Sequence, residues 1–229
     1  MKPAVATRFL DFTEPLEGLV DYMYVDVKGL VTIGFGNLID PIDLALPLPF
    51  VKKAGGLPAT RDEIIAEWNL IKDKDNARQL KTKGHRACQP LTNLKLTRDA
   101  INDLCARRLQ GNEANLKKIK AFARFDEWPA DAQLGLHSMA WAMGSGFAFN
   151  ERWPGFRKAC AAMDFDAAAN NCKMSEVGNR GLVPRNRANV HLFRNASAVL
   201  AGEADGFYVR DTLYFPMVLM KPVVVEGTG

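Results

Sequence analysis

Two carboxylic acids and a hydroxyl stand near the start of the chain: Glu17 followed by Gly18, then Asp26 nine residues on, then Thr32 six beyond that. Paired carboxylates do general acid and base work when one stays protonated to hand a proton to a leaving oxygen and the other stays ionised to activate water. Two such groups flanking a glycosidic bond are what glycoside hydrolysis needs, with an oxocarbenium-like transition state to stabilise. A neutral hydroxyl such as Thr32 can position the water. The nearby acids have simpler readings: Glu14, before Pro15, as a helix-start charge favoured by the helix dipole, and Asp21 as a solvated neighbour.

Those residues need elements to hold them. Phe9, Leu10, Phe12, Leu16, Leu19, Val20 and Met23 are spaced for a helix over Phe9 to Tyr24, started or kinked near Pro15, with Glu17 at its end. From Tyr24 to Gly36 the β-branched and aromatic residues, punctuated by glycines, predict an antiparallel hairpin turning near Lys28-Gly29. Asp26 would start that hairpin and Thr32 lie on its second strand. A helix running into a hairpin folds back, so Glu17, Asp26 and Thr32 can converge on one rim. Leu38 to Pro58, with four prolines and Gly55-Gly56, reads as an irregular loop. Thr60-Arg61-Asp62-Glu63 fits a capping box and predicts a helix of about four turns with Ile64, Ile65, Trp68 and Ile71 inward. A long helix follows from Thr97 to about Lys120, then helices over Ala130 to Met143, Pro154 to Met163, Phe165 to Asn171 and Pro184 to Leu200. The tail from Phe207, including Val223-Val224-Val225, is β-leaning without a clear partner. The fold class expected is α+β, mostly α: a smaller lobe over 1–96 with an insertion at about 38–95, a connecting helix over 97–120, a helical lobe over 121–205 and a tail over 206–229, with a cleft between the lobes.

Composition narrows the partners. Apolar residues make up 48% and charged residues 24% of 229, which excludes strongly disordered, collagen-like and membrane-embedded classes. The longest apolar stretches, Leu44 to Val51 and Leu213 to Met220, are broken by proline and fall far short of the ~18 residues of a membrane span. The net charge of +4 favours anionic partners. Lys and Arg are scattered, however, and Lys72-Asp73-Lys74-Asp75 alternates in sign, so nucleic acid is not the expected partner. The first eight residues lack the apolar stretch of a secretory signal, so the expectation is synthesis in the cytoplasm without Sec export. His85, His137 and His191 share no metal-binding spacing, and Cys88, Cys105, Cys160 and Cys172 form no CxxC pair. No metal and no cofactor is expected; His137 reads as a satisfied core histidine and the cysteines as free thiols. Gly34-Phe35-Gly36 lacks the third glycine and the Lys-Ser/Thr of a phosphate loop, so close packing is the better reading. Trp68, Trp128, Trp141 and Trp153 read as core fillers.

Glu17-Gly18, Asp26 and Gly29-x-x-Thr32-Ile33-Gly34-x-Gly36 resemble the catalytic signature of the phage-type lysozymes, glycoside hydrolase family 24, which includes T-even coliphage lysozyme, endolysins and pesticin-like toxins. The likeness continues in family order. Leu96-Thr97-Arg98-Asp99 resembles the start of that family's inter-lobe helix, and Ser138 to Gly144 its core helix. Asp164 to Ala168 is similar to a further family segment, and Gly181 to Phe193 to the closing helix of endolysins. Together these cover most of residues 9 to 200.

The resemblance implies a lysozyme-like two-lobed fold and a muramidase that cleaves the β-1,4 bond between N-acetylmuramic acid and N-acetylglucosamine with inversion. In it Glu17 is the acid, Asp26 the base and Thr32 the water's positioning partner. Arg185 would support Glu17 by a charge-assisted hydrogen bond, which requires burial of the glutamate to outweigh the pairing. Gly36 and Asn37 would support the site or the substrate, Asn37 standing where many members carry histidine; Asn186 stands where many endolysins carry a second arginine. The partner implied is the peptidoglycan glycan strand. The enzyme would act on the cell wall either as an endolysin released by holin or as an antibacterial effector delivered by a secretion system, in which case an immunity protein would be a partner. The alternatives are a lytic transglycosylase and an inactive wall-binding module.

Overall fold

The computed structural model describes residues 1–149 and 151–222, with only the backbone of Lys74 and Asp75. Its elements run α1 (Pro3–Glu17), β1 (Val20–Val25), β2 (Val31–Gly34), β3 (Asn37–Leu38), β4 (Val51–Lys52), α2 (Arg61–Lys72), α3 (Lys74–Leu80), β5 (Leu94–Lys95), α4 (Arg98–Leu116), α5 (Ala130–Met143), α6 (Pro154–Ala162), α7 (Phe165–Asn171) and α8 (Leu182–Gly202), joined by turns and short 3₁₀ segments. The protein is α+β and mostly helical. No helix among the described residues is long and apolar enough to cross a membrane. The chain divides into two compact units, residues 13–108 and residues 1–12 with the chain from Leu109 onward, and passes between them inside α1 and inside α4.

In the unit of residues 13–108, β1, β2 and β3 form an antiparallel sheet in that order. Tyr24 faces Thr32 and Val25 faces Val31 across the first pair, and Ile33 faces Asn37 across the second. The helix expected through Tyr24 stops at Glu17. Gly18 takes φ +73°, a left-handed state that glycine enters at little cost, and its N–H closes the last turn on the Glu14 carbonyl at 2.8 Å. The Val and Tyr residues that follow prefer the pleated sheet, and β1 buries Val20, Met23 and Val25.

Within the stretch from 38 to 95, the expected loop over 38–58 carries, past the end of β3, only a 3₁₀ turn at Ile42–Leu44 and the two-residue β4. Thr60 Oγ1 accepts the Glu63 N–H at 3.3 Å while the Glu63 carboxylate accepts the Thr60 N–H at 2.8 Å, the expected capping box. The helix α2 that it starts has 12 residues, a little over three turns. It buries Ile64, Trp68 and Ile71, and Trp68 Nε1 donates to the Ile39 carbonyl at 2.9 Å. Lys72 at its end reaches Asp40 at 2.6 Å and the Gly29 carbonyl at 3.0 Å, which ties α2 to the hairpin turn. The buried Glu67 carboxylate accepts the N–H groups of Asn93 and Leu94 at 2.5 and 3.0 Å. Burial raises its pKa against the pull of those donors and of Lys53.

The other unit is built on α5, whose buried face runs around the helix from Ala130 to Trp141. α8 packs against it closely: a methyl at Gly135 would lie 2.9 Å from the Phe193 ring. Phe122, Phe125, Trp128, Phe156, Phe165 and Phe193 fill the core and meet mostly edge to face, the arrangement that the ring quadrupole favours. Helices α5 and α7 have the expected limits, α6 ends one residue early, α8 extends two residues at each end, and α4 stops at Leu116 with a 3₁₀ turn at Lys120–Phe122. The described part of the tail, through Pro222, forms no strand. The buried Asp131 carboxylate accepts the N–H groups of Tyr214 and Phe215 at 2.9 and 3.0 Å. Asn195 binds the Met217 carbonyl at 2.7 Å and the Leu219 N–H at 3.0 Å. Side chains of α5 and α8 thus supply the partners that a neighbouring strand would have given. Val223-Val224-Val225 lies outside the described residues. Cys88, Cys105, Cys160 and Cys172 are buried and form no disulfide among the described residues.

His137 is fully buried, packed edge-on between Phe125 at 5.5 Å and Phe9 at 6.2 Å. It is a core histidine, but not a satisfied one: neither ring nitrogen has a hydrogen-bond partner among the described residues. Burial drives its pKa down to about 4. An unfolded chain binds a proton there near pH 6.5, so the folded state loses stability as the pH falls from 6.5 toward 4 and loses no more below it. Urea denaturation should show about 2 kcal/mol less stability at pH 5 than at pH 7 from this group, and His137→Leu should remove that part of the slope.

Candidate active site

The turn between β1 and β2 is shaped by Asp26. Its Oδ1 accepts the N–H groups of Lys28 at 2.8 Å and Leu30 at 2.9 Å, and its own N–H donates to the Leu30 carbonyl at 2.9 Å. Such self-bonding is what short Asp side chains do in turns. The same Leu30 carbonyl accepts the Thr32 hydroxyl at 3.2 Å. One peptide therefore joins Asp26 to Thr32. Thr32 is 4% exposed, and with its proton on Leu30 its oxygen can still accept a hydrogen bond.

Glu17 reaches the hairpin from the other side. Its carboxylate passes so near Gly36 that a side chain there would begin 4.0 Å from Oε2, and Gly36 takes φ +78°. Arg108 of α4 donates to the Gly36 carbonyl at 2.7 Å, which holds this corner from behind. Glu17 is exposed, so the shielding expected of a general acid is not supplied there. Tyr24, the cross-strand partner of Thr32, is where the charges meet. Burial above all, with the carboxylates of Glu17 and Asp26 adding to it and Arg108 opposing, pushes its hydroxyl up to about 12. That hydroxyl is thus a neutral donor across the physiological range, in the field of both acids.

Tyr24 and Arg108 were not singled out from the sequence. Arg108 leaves a trace, since it interrupts the apolar series Cys105, Leu109 at a position whose neighbours turn inward. Tyr24 leaves none beyond its β-propensity.

Asn37 and Arg185 are both buried. Asn37 is 2% exposed, and its Oδ1 accepts the Phe35 N–H at 3.3 Å and the Cys105 thiol at 3.4 Å. It locks the Gly34-Phe35-Gly36 corner from inside and offers no surface to a substrate. Arg185 belongs to the other unit, in the first turn of α8. It is 2% exposed, and its Nη1 donates to the carbonyl and hydroxyl of Ser138, both at 3.2 Å. Asn186 beside it clasps Met174 from both sides, accepting its N–H at 2.9 Å and donating to its carbonyl at 2.8 Å.

A pocket of about 490 Å³ lies elsewhere on the 13–108 unit, between Lys52, Lys53, Glu67, Leu70, Leu91 and Leu94. Glu67 is spent on the backbone of Asn93 and Leu94, and Lys53 on Thr92 at 2.6 Å, so its charges serve the fold. No group of three or more His, Cys, Asp or Glu among the described residues could hold a metal ion. The chain matches no protein-family model, and no curated protein matches it in sequence.

Asn37→Ala should remove one acceptor of the Phe35 N–H and of the Cys105 thiol, at a cost of about 0.5–1.5 kcal/mol. Urea denaturation reads that cost. A role in binding substrate would instead appear as lost affinity at unchanged stability.

Proposed function

We propose that this protein is a peptidoglycan hydrolase, a muramidase cleaving the β-1,4 bond between N-acetylmuramic acid and N-acetylglucosamine. What supports the reading is that the Glu17 carboxylate lies at Gly36, Oε2 4.0 Å from where a Cβ there would stand, at the end of the hairpin on which Leu30 joins Asp26 to Thr32. Two acids and a neutral hydroxyl so grouped suit glycoside hydrolysis. On this reading the fold is lysozyme-like, residues 13–108 corresponding to the smaller catalytic lobe of the phage-type family and the other unit to its helical lobe. The mildly basic chain suits an anionic wall, and its role is that of an endolysin or a delivered antibacterial effector.

Glu17 donates its proton to the glycosidic oxygen as the bond to the anomeric carbon breaks. A water, held by Asp26 and accepted by Thr32 Oγ1, adds to that carbon from the opposite face and gives up its proton to Asp26. Asp26 Oδ2 is available for this because the turn uses Oδ1. Since Glu17 is exposed, the glycan itself supplies the desolvation that raises the glutamate's pKa. The second reading, a wall-binding module without turnover, draws on that same exposure.

Digestion of purified peptidoglycan, with mass spectrometry of the released muropeptides, separates these readings. The native protein should release reducing-end products, and Glu17→Gln should lower the rate by at least about a hundredfold at unchanged melting temperature. Anhydro products would assign a transglycosylase. Absence of products from the folded native protein would favour the wall-binding module.

A further inference from the structure

The strand β1 carries a second tyrosine two residues before Tyr24, and one imidazole meets both rings, 6.3 Å from that of Tyr22 and 6.0 Å from that of Tyr24. It belongs to His85, from the 38–95 stretch. Tyr22 Oη and His85 Nδ1 are hydrogen-bonded at 3.0 Å, and the imidazole stands edge-on to the Tyr24 ring, centroids 6.0 Å apart. Tyr22 is itself 6% exposed and gripped from the other side by Lys53, whose ammonium sits 4.7 Å from the ring centre. His85 nevertheless remains exposed. A solvated histidine on an ordinary loop has no reason to be held at a ring nitrogen and packed against an aromatic neighbour. Here the ring is fixed in place before any ligand arrives, which lowers the entropy cost of binding. Nε2 is a donor where Tyr22 donates to Nδ1 and an acceptor where Nδ1 donates to Tyr22, and a sugar hydroxyl can serve either.

We propose that His85 is a substrate-binding residue, its exposed ring and that of Tyr24 forming a wall on which a sugar of the glycan packs, beside Glu17 and Asp26. The inference rests on the muramidase reading and extends it: a sugar ring offers an apolar C–H face to the imidazole and hydroxyls to Nε2. The 38–95 stretch then contributes directly to substrate recognition.

The test uses peptidoglycan tetrasaccharide fragments and the slow Glu17→Gln protein, titrated by calorimetry with His85 intact, as His85→Ala and as His85→Phe. His85→Ala should weaken binding about three- to tenfold, the range of a lost aromatic contact. His85→Phe, which keeps the ring face, should stay within about twofold. In the otherwise native protein, His85→Ala should raise KM by a similar factor with kcat little changed. Unchanged affinity of the alanine variant, or equal loss in both variants with a lowered melting temperature, overturns the inference. If the native protein still releases reducing muropeptides, it falls alone. If the native protein releases none and the Glu17→Gln protein binds no fragment, the muramidase reading falls with it.

Discussion

The Asp26 carboxylate is the acceptor on which the hairpin turns. Oδ1 gathers two N–H groups of the turn, and the Leu30 peptide answers by taking the Asp26 N–H and the Thr32 hydroxyl on one carbonyl. Fixing the turn fixes the register that sets Tyr24 opposite Thr32. That register puts a hydroxyl within the field of both acids. The turn takes both of these N–H groups on Oδ1, and the proposed function would use Oδ2. An aspartate suits such a role because its short arm reaches its own backbone, which glutamate's longer arm does less readily.

Glycine sets the second constraint. Gly34 at φ +66° and Gly36 at φ +78° bend the chain sharply after β2. A side chain on Gly34 would meet Ile101 at 3.0 Å and Asn37 at 3.1 Å. The corner is then held from within by the Asn37 amide and from behind by Arg108, so the Glu17 carboxylate approaches bare backbone. In the other unit the same economy recurs with different residues: Asp131 and Asn195, buried on α5 and α8, hold a tail that has no strand to pair with.

Much of this was legible in the residues. The capping box at Thr60, the hairpin turn near Lys28-Gly29, and helices such as α5 and α7 follow from local rules of capping, turn chemistry and periodicity, which act within a few residues. What escaped depends on contacts distant in sequence. The short pairing of β4 with β5 joins Val51 to Lys95, and β-propensity cannot name so remote a partner. Asn37 reads as a polar residue at a site, yet its burial against Cys105, from α4, makes it a lock. The tail reads as β because its residues favour extended backbone, but its described part runs through turns and side chains hold it where a ladder would. Tyr24 and His85 acquire meaning only once the 38–95 stretch has folded onto β1.

The central claim is that Glu17 and Asp26 act together to add water across a glycosidic bond. The stereochemistry of the first product tests it most directly, because inversion requires water to attack opposite the departing sugar. Proton NMR of a defined peptidoglycan oligosaccharide, recorded in the first minutes of cleavage, should show the α-anomer of the new reducing end before mutarotation mixes the two forms. A β-anomer appearing first, or a 1,6-anhydro product, would contradict the account.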